Sequence, residues 1–299
     1  MVSVVVCTFN RDKYIGKCLD HLHNQSASKD DYEVIVVDNN STDDTEKICH
    51  EKITEYSNTH FKYHKELNQG HSFSRNRGIR ESKGEIISFI DDDAFVDKDF
   101  VKNIILFFEH NASVVSYGGK IEPVYENKKP KWMSKYLLPL VAALDMGDKE
   151  LKFKGRKFPI GANMGFRKEV FSEFGYFDVK LGRIGTALAG GDEKEIFLRL
   201  KKSNQSIFYV PSIRVSHIIP EKRLSKKYIK GLARGVGESE SIRLSDKGFK
   251  EKFDKVMEES FKVGATSVLF LFYFLTLQFS KGIMLLRFRF WVISRLKIL

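Results

Sequence analysis

The sequence predicts an α/β protein built on a doubly wound, mostly parallel, Rossmann-like sheet, with a helical C-terminal extension that is both apolar and basic. Three observations carry this expectation. Short apolar runs alternate with helix-spaced patterns and reach a fourth run by Asp91, the rhythm of successive strand–helix units in a parallel sheet. Polar clusters follow directly on the ends of those runs, where open α/β sheets bind their ligands. Carboxylates are frequent up to Glu259 and absent after it, while Lys262, Lys281, Arg287, Arg289, Arg295 and Lys297 punctuate the apolar tail.

Val2 to Cys7 is a β-branched run, and Thr8-Phe9-Asn10-Arg11-Asp12 feeds an amphipathic pattern at Ile15, Cys18, Leu19 and Leu22. Tyr32 to Val37 repeats the scheme and ends in Asp38-Asn39-Asn40-Ser41-Thr42-Asp43-Asp44, where Ser41 or Thr42 can cap a helix through Ile48. Phe61 to His64 reads as a short third strand, and the stretch from Asn68 through Arg75 to Gly78 leads by a helix into Ile86. The run Ile86 to Ile90 stops abruptly at Asp91-Asp92-Asp93. Adjacent carboxylates oppose one another's ionisation unless a cation or a set of hydrogen-bond donors sits among them. All-oxygen ligands favour Mg²⁺ or Mn²⁺. The competing structural account is a solvated acidic turn that caps a helix starting near Asp97.

A helix around Phe100 to Phe108 and a strand at Ser113 to Tyr117 come next. Glu126 to Lys157, which mixes Lys and Pro with Trp132, Tyr136, Leu137 and Leu138, reads as a long excursion, either a carrier of substrate contacts or a surface flap. Pro159 to Phe166 returns to an extended pattern. In Leu188 to Leu200, Gly190 and Gly191 precede Asp192 and Glu193 and an apolar face of Ile196 and Leu200. This is a helix start, where acids complement the dipole; a carboxylate there that also faces the crevice has the place of a general base. Ile207 to Val210 and Ile213 to His217 are expected as two short strands, followed by Pro220, Lys222 and Arg223. A His and an Arg beside a metal-bound diphosphate would serve as metal ligand and charge clamp.

The chain has 299 residues and a net charge of +11, which suits an anionic ligand, nucleic acid or a membrane surface. Nucleic acid is disfavoured because aromatic and basic residues interleave mainly in the tail. Cys7, Cys18 and Cys49 lack metal-ligand spacing and fit free thiols in a reducing compartment. The chain enters a strand at once, so no export leader is expected. Neither a dinucleotide fingerprint nor a P-loop is present, so a metal would have to take their place at phosphates.

In order and spacing, Val4 to Arg11, Val36 to Ser41, Asn68-Gln69-Gly70 through Ser74 to Ile79, Phe89 to Asp93, Gly190-Gly191-Asp192-Glu193, and His217 with Arg223 resemble a family-2 glycosyltransferase of the GT-A fold. The resemblance covers residues 2 to 223. It implies an inverting, metal-assisted transfer of a sugar from a nucleotide diphosphate, with uridine the base suggested, to a hydroxyl acceptor in envelope polysaccharide synthesis. It implies that Thr8, Asn10 and Arg11 line the nucleotide base, that Asp38 accepts from the base N–H, and that Arg75 approaches the nucleotide. Asp91 goes to the ribose and Asp93, with His217, to Mn²⁺ or Mg²⁺. Asp92 and Arg223 join the donor side; Asn163 and the Trp132 region are candidates for acceptor or sugar contacts. The family usually reads Gly-Gly-Glu-Asp with the Asp as base; here Glu193 takes that position and Asp192 stays an alternative. The division expected is a catalytic domain over 1–223, its nucleotide-sugar half about 1–121 and its acceptor half about 122–223, with a membrane-associating region over 224–299. A sugar-phosphate nucleotidylyltransferase would carry a Gly- and Arg-rich loop where Thr8 to Arg11 stands. A non-catalytic membrane-bound relative would lack the metal or base carboxylates.

Val263 to Ser280 is uncharged and about long enough to span a bilayer. Spanning would carry Lys281, Arg287, Arg289, Arg295 and Lys297 across, against the preference of basic residues for the cytosol. The expectation is therefore monotopic or re-entrant attachment at the cytoplasmic face, near a lipid-linked acceptor, with a buried C-terminal helix of a soluble protein as the competing account.

Overall fold

The valine-rich run that opens the chain lies inside a sheet. In the computed structural model, which describes residues 1–56, 59–155, 157–183 and 190–297, β1 (Val2–Thr8) is buried at every position. It is flanked in parallel by β2 (Tyr32–Asp38), with β3 (Phe61–Lys65) beyond it, and on the other side by β4 (Ile86–Asp91). The side-chain alternation of a strand sends Val2, Val4 and Val6 to one core with Val34, Val36 and Ile90, and Val5 and Cys7 to another with Ile35, Val37, Ile87 and Phe89. Both faces are covered, which is why these strands read as unbroken apolar runs. The helices α1 (Asp12–His23), α2 (Thr45–Glu55) and α3 (His71–Glu81) fill the connections. On α3, Gly78 lies so near β1 that a Cβ there would be 2.3 Å from Val5 Cγ1.

After β4 the sheet turns antiparallel. The further strands are β5 (Ala94–Val96), β6 (Ser116–Tyr125), β7 (Leu151–Lys152), β8 (Asn163–Arg167) and β9 (Ile207–Ile219). The strand order is β3-β2-β1-β4-β8-β6-β9-β5, with β7 also on β9. Three short helices complete this part, α4 (Phe100–His110), α5 (Glu169–Phe174) and α6 (Asp192–Lys202).

Several local expectations are corrected. Ile207 to His217 forms one strand, not two: Pro211 falls between the stretch paired to β7 and the stretch paired to β5, so its missing N–H breaks neither ladder. The strand expected at Ser113 starts at Ser116 and runs to Tyr125. Ser41 does not cap α2; its N–H and Oγ both donate to Asp38 Oδ1, at 2.9 and 2.6 Å, and the Thr45 N–H finds Asp43 Oδ1 at 3.1 Å instead. The helix after the acid triplet begins at Phe100, and the side chain that accepts at its start is Gln25, whose Oε1 takes the Val101 N–H at 3.0 Å, so capping does not account for the three aspartates.

The chain packs as two units, one of Met1–Val124, Ala142–Val179 and Asp192–Ile218, the other of Tyr125–Val141, Lys180–Gly191 and Ile219–Leu299. The second contains α7 (Lys226–Leu244), α8 (Phe249–Leu275) and α9 (Phe279–Ile293). The uncharged stretch Val263 to Ser280 is not one helix. Leu277 takes a left-handed φ of 57° and the Gln278 N–H returns to Tyr273 O at 2.8 Å, a Schellman-type stop. No helix among the described residues is long and apolar enough to cross a membrane. A buried ionic network ties the three helices. Lys255 Nζ lies 2.9 Å from both Glu240 and Glu259, and Glu259 also receives Lys262 and Arg289 at 2.8 Å. Burial acts to raise the Glu259 pKa, but Lys262 and Lys255 outweigh it and hold the group down at about 2.

Candidate active site

Parallel register brings the strand ends level. Thr8 lies opposite Asp38 and Cys7 opposite Asp91, so the polar residues that follow β1, β2 and β4 share one edge, as the sequence predicts. The loops after β1 and β2 are laced together: the Asn10 N–H donates to Ser41 Oγ at 2.9 Å and the Thr42 N–H to Asn10 Oδ1 at 2.8 Å. Asp38 is fully buried; Ser41 occupies Oδ1, and Tyr63 donates its hydroxyl to Oδ2 at 2.7 Å. Asn39 clasps the loop before α3, donating to Glu66 O and Asn68 O and accepting from the Gly70 N–H at 2.7 Å.

The acid triplet gathers two kinds of partner. Arg11 Nε lies 3.2 Å from Asp92 Oδ1 and its Nη2 3.6 Å from Asp93 Oδ2. His217 is brought in by β9, whose antiparallel register sets it opposite Ala94 and its Nε2 2.9 Å from Asp93 Oδ1. Ligand atoms of Asp91, Asp93 and His217 lie within 4.8 Å of one another, and Asp93 and His217 are wholly buried. Two carboxylate oxygens and an imidazole nitrogen form a donor set that fits Mn²⁺ well and Mg²⁺ through its oxygens. Burial raises the Asp92 pKa to about 7; Arg11 acts against it and the charges of Asp93 and Asp91 with it. A divalent cation relieves such crowding.

The second group of acids stands on the first turn of α6. Gly191 has a φ of 114°, a conformation that L side chains rarely adopt, and Asp192 and Glu193 follow it. Leu188 and Ala189 of the same sequence stretch lie outside the described residues. Arg75, 1% exposed, reaches Asp192 Oδ2 through Nη1 at 2.6 Å and Glu193 Oε1 through Nη2 at 2.9 Å. Burial acts to raise the Asp192 pKa, but Arg75, His71 and backbone N–H groups bring it below the usual range. Burial raises that of Glu193, only partly offset by Arg75 and reinforced by the charges of Asp192 and Asp91. Glu193 keeps 26% of its side chain exposed against 3% for Asp192. The geometry therefore supplies one locked, ionised carboxylate and one accessible carboxylate that binds a proton more readily.

The other sequence candidates are Asn163, Trp132 and Arg223. Asn163, on β8 opposite Ile90, donates through Nδ2 to Ile213 O at 2.9 Å and Lys120 O at 3.1 Å, a tie between strands. Trp132 and Arg223 belong to the second unit, Trp132 packed on its apolar cluster and Arg223 on a 3-10 turn at Glu221–Leu224. Sequence reasoning did not single out Tyr63, His71 or Phe177. Tyr63 had a signal, since it shares β3 with apolar Phe61 at strand spacing; Phe177 had none, because only the folded chain sets its ring 5.3 Å from the Arg75 guanidinium.

Three comparisons set the chain among known proteins. A family model described as "Glycosyl transferase family 2" matches residues 3–175. A glucosyl-dolichyl phosphate glucuronosyltransferase of Haloferax volcanii is 27% identical over 237 residues, covering 74% of this chain and 70% of that protein. Among solved structures, the mannosyltransferase PcManGT from Pyrobaculum calidifontis, in complex with GDP-Man and Mn²⁺, superposes with a TM-score of 0.64 at 16% identity, over 96% of this chain and 85% of that one. S. aureus TarS 1-349 in complex with UDP-GlcNAc gives 0.54 at 18% identity, over 98% and 90%. These two likenesses are of fold.

Proposed function

The match over residues 3–175 makes this chain a member of glycosyl transferase family 2, and on that premise we propose that it moves a sugar, with inversion, from a nucleoside diphosphate to a hydroxyl of a glycan or lipid-linked acceptor. The observation that carries the reading is a cation-type cluster at the sheet edge, Asp91, Asp93 and His217, in the same packed unit as a partly exposed carboxylate of raised pKa on α6, Glu193, near enough for the Asp91 charge to act on it. The acceptor hydroxyl gives its proton to Glu193 as its oxygen attacks the anomeric carbon. The bond from that carbon to the diphosphate oxygen breaks on the opposite face, and the electron pair leaves with the diphosphate. One carboxylate suffices, because no covalent sugar intermediate is formed. A divalent cation held by Asp93 and His217, with Asp91 beside them, would supply positive charge where the leaving group becomes anionic. Thr8, Asn10, Arg11, Asp38 and Asp92 form the donor side.

The names of similar proteins support both halves of the reaction: the Haloferax protein is named for a dolichyl phosphate-linked sugar, and the two solved structures contain UDP-GlcNAc and GDP-Man. The decisive measurement is release of nucleoside diphosphate from a panel of UDP- and GDP-sugars, with a polyprenyl-phosphate sugar or a soluble glycan as acceptor. Acceptor-stimulated release with one donor is expected. Binding of nucleotide sugars with no release from any of them would leave a nucleotide-sugar-binding protein.

The same reading puts the enzyme on the cytoplasmic face of a membrane, attached through the α8–α9 hairpin. In its support, Val268, Leu271, Leu275 and Leu277 are 58–80% exposed around the turn, and Arg287, Arg295 and Lys297 are exposed cations, a pairing suited to anionic headgroups. The full chain is expected to float with anionic vesicles at low salt. Leu275→Asp with Leu277→Asp should weaken flotation by more than about tenfold, since each buried leucine contributes ~1.5–3 kcal/mol. Recovery of the full chain entirely in the unbound fraction at low salt would refute the attachment.

A further inference from the structure

We infer that Arg75 is a positioning residue: its guanidinium fork sets Asp192 and Glu193 at a fixed separation and thereby aims Glu193 as proton acceptor, without touching the donor. The resemblance would put Arg75 at the nucleotide. Its surroundings argue for a different task, and the inference rests on the reading of Glu193 given above.

Both terminal nitrogens of Arg75 are engaged by the two acids, at 2.6 and 2.9 Å, in a site where the arginine is 1% exposed. A planar fork with two donors in fixed geometry defines the orientation of two carboxylates as no single ammonium does. The fork is itself held. The Phe177 ring centroid lies 5.3 Å from the guanidinium carbon, and Asn76, the next residue on α3, grips the Phe177 backbone by donating to its carbonyl at 2.9 Å and accepting from its N–H at 3.0 Å. Gly161 closes another side: a Cβ there would stand 2.0 Å from Glu193 Oε1 and 2.1 Å from Arg75 Nη2. Backbone thus lies directly against the ion pair, and only glycine leaves room for it.

The fork also accounts for the reversed order of the acids. Asp192, the shorter, meets one nitrogen from a fully buried place on α6, while Glu193, one methylene longer, spans to the other nitrogen and still presents part of its carboxylate outward. A Glu-Asp order would exchange these reaches.

Two variants test this, Arg75→Lys, which keeps the charge and removes the fork, and Gly161→Ala, which displaces the pair while leaving all three side chains present. Each is expected to lower kcat by about 10²-fold, the scale of a misplaced catalytic group, with nucleoside diphosphate affinity by calorimetry within about twofold of wild type. Loss of affinity in parallel with kcat, or unchanged kcat in both variants, would overturn the inference. Should Arg75→Lys not fold, Gly161→Ala decides, because the atoms it meets are the movable ends of side chains. If the wild type releases no nucleoside diphosphate from any donor, the parent reading fails separately. The fork is then judged by ¹³C NMR of the Asp192 and Glu193 carboxyl carbons, which are faced by Arg75, His71 and Asp91. Both resonances are expected to shift in Gly161→Ala, and unshifted resonances would dismiss the fork.

Discussion

Replacing Asp93 with alanine abolishes transfer, by about 10³-fold or more, and removes the dependence of nucleotide binding on Mn²⁺ or Mg²⁺. Asp93 is wholly buried between Arg11 Nη2 at 3.6 Å and His217 Nε2 at 2.9 Å, and with Asp91 and His217 it forms the one cluster of metal-ligating groups among the described residues. Losing it leaves Asp91 and His217 with too few donors for a hard cation. Because the alanine also removes the buried carboxylate that Arg11 and His217 meet, the near-isosteric asparagine serves as the control for folding. Calorimetry with a nucleoside diphosphate, with and without Mn²⁺, separates binding from turnover. The expected result is a metal-dependent affinity in wild type and a metal-independent, weaker one in Asp93→Ala and in the near-isosteric Asp93→Asn. Equal metal dependence in wild type and both variants would move the cation elsewhere.

Glu193→Gln keeps nucleotide binding and lowers kcat by about 10²- to 10⁴-fold, the range for a lost general base. The sign of the pH effect is fixed by the environment. Burial raises the Glu193 pKa, Asp192 and Asp91 add to this, and Arg75 offsets only part. A base must be ionised to accept a proton, so wild-type kcat should fall as pH drops through a value above the ordinary glutamate range, and the glutamine variant should lack that acid limb. Asp192 cannot substitute readily, because Arg75 holds its pKa below the usual range and burial leaves it little access. The reverse outcome, normal turnover in Glu193→Gln with a crippled Asp192→Asn, would hand the role to Asp192.

How much of this was legible beforehand depends on the range over which each feature is decided. Val2 to Cys7 and Ile86 to Ile90 were readable as buried strands because apolar continuity is a local signature, and parallel pairing then aligned Thr8, Asp38 and Asp91. The helix start at Asp192 was likewise written locally. Misreadings came where two local solutions competed. Ser41 had a carboxylate neighbour in Asp38 and took it in preference to the helix end, and Leu277 adopted a left-handed turn that no glycine announced.

The sequence by itself determined the parallel half of the sheet, the crowding of Asp91, Asp92 and Asp93 at its edge, the Asp-Glu order after two glycines, and a tail with cations but no carboxylates beyond Glu259. Tertiary structure alone decided which of these residues meet. His217 reaches Asp93 because the register of β9 sets it opposite Ala94, and Asn163 becomes a tie between strands because its amide faces the Ile213 and Lys120 carbonyls. Arg75 reaches the two acids of α6 because α3 is seated on β1 at Gly78. Periodicity and adjacent charge act over a few residues and can be read in order along the chain. Register and helix seating are settled by how whole faces of side chains fit, which places residues far apart in sequence within a hydrogen bond of each other.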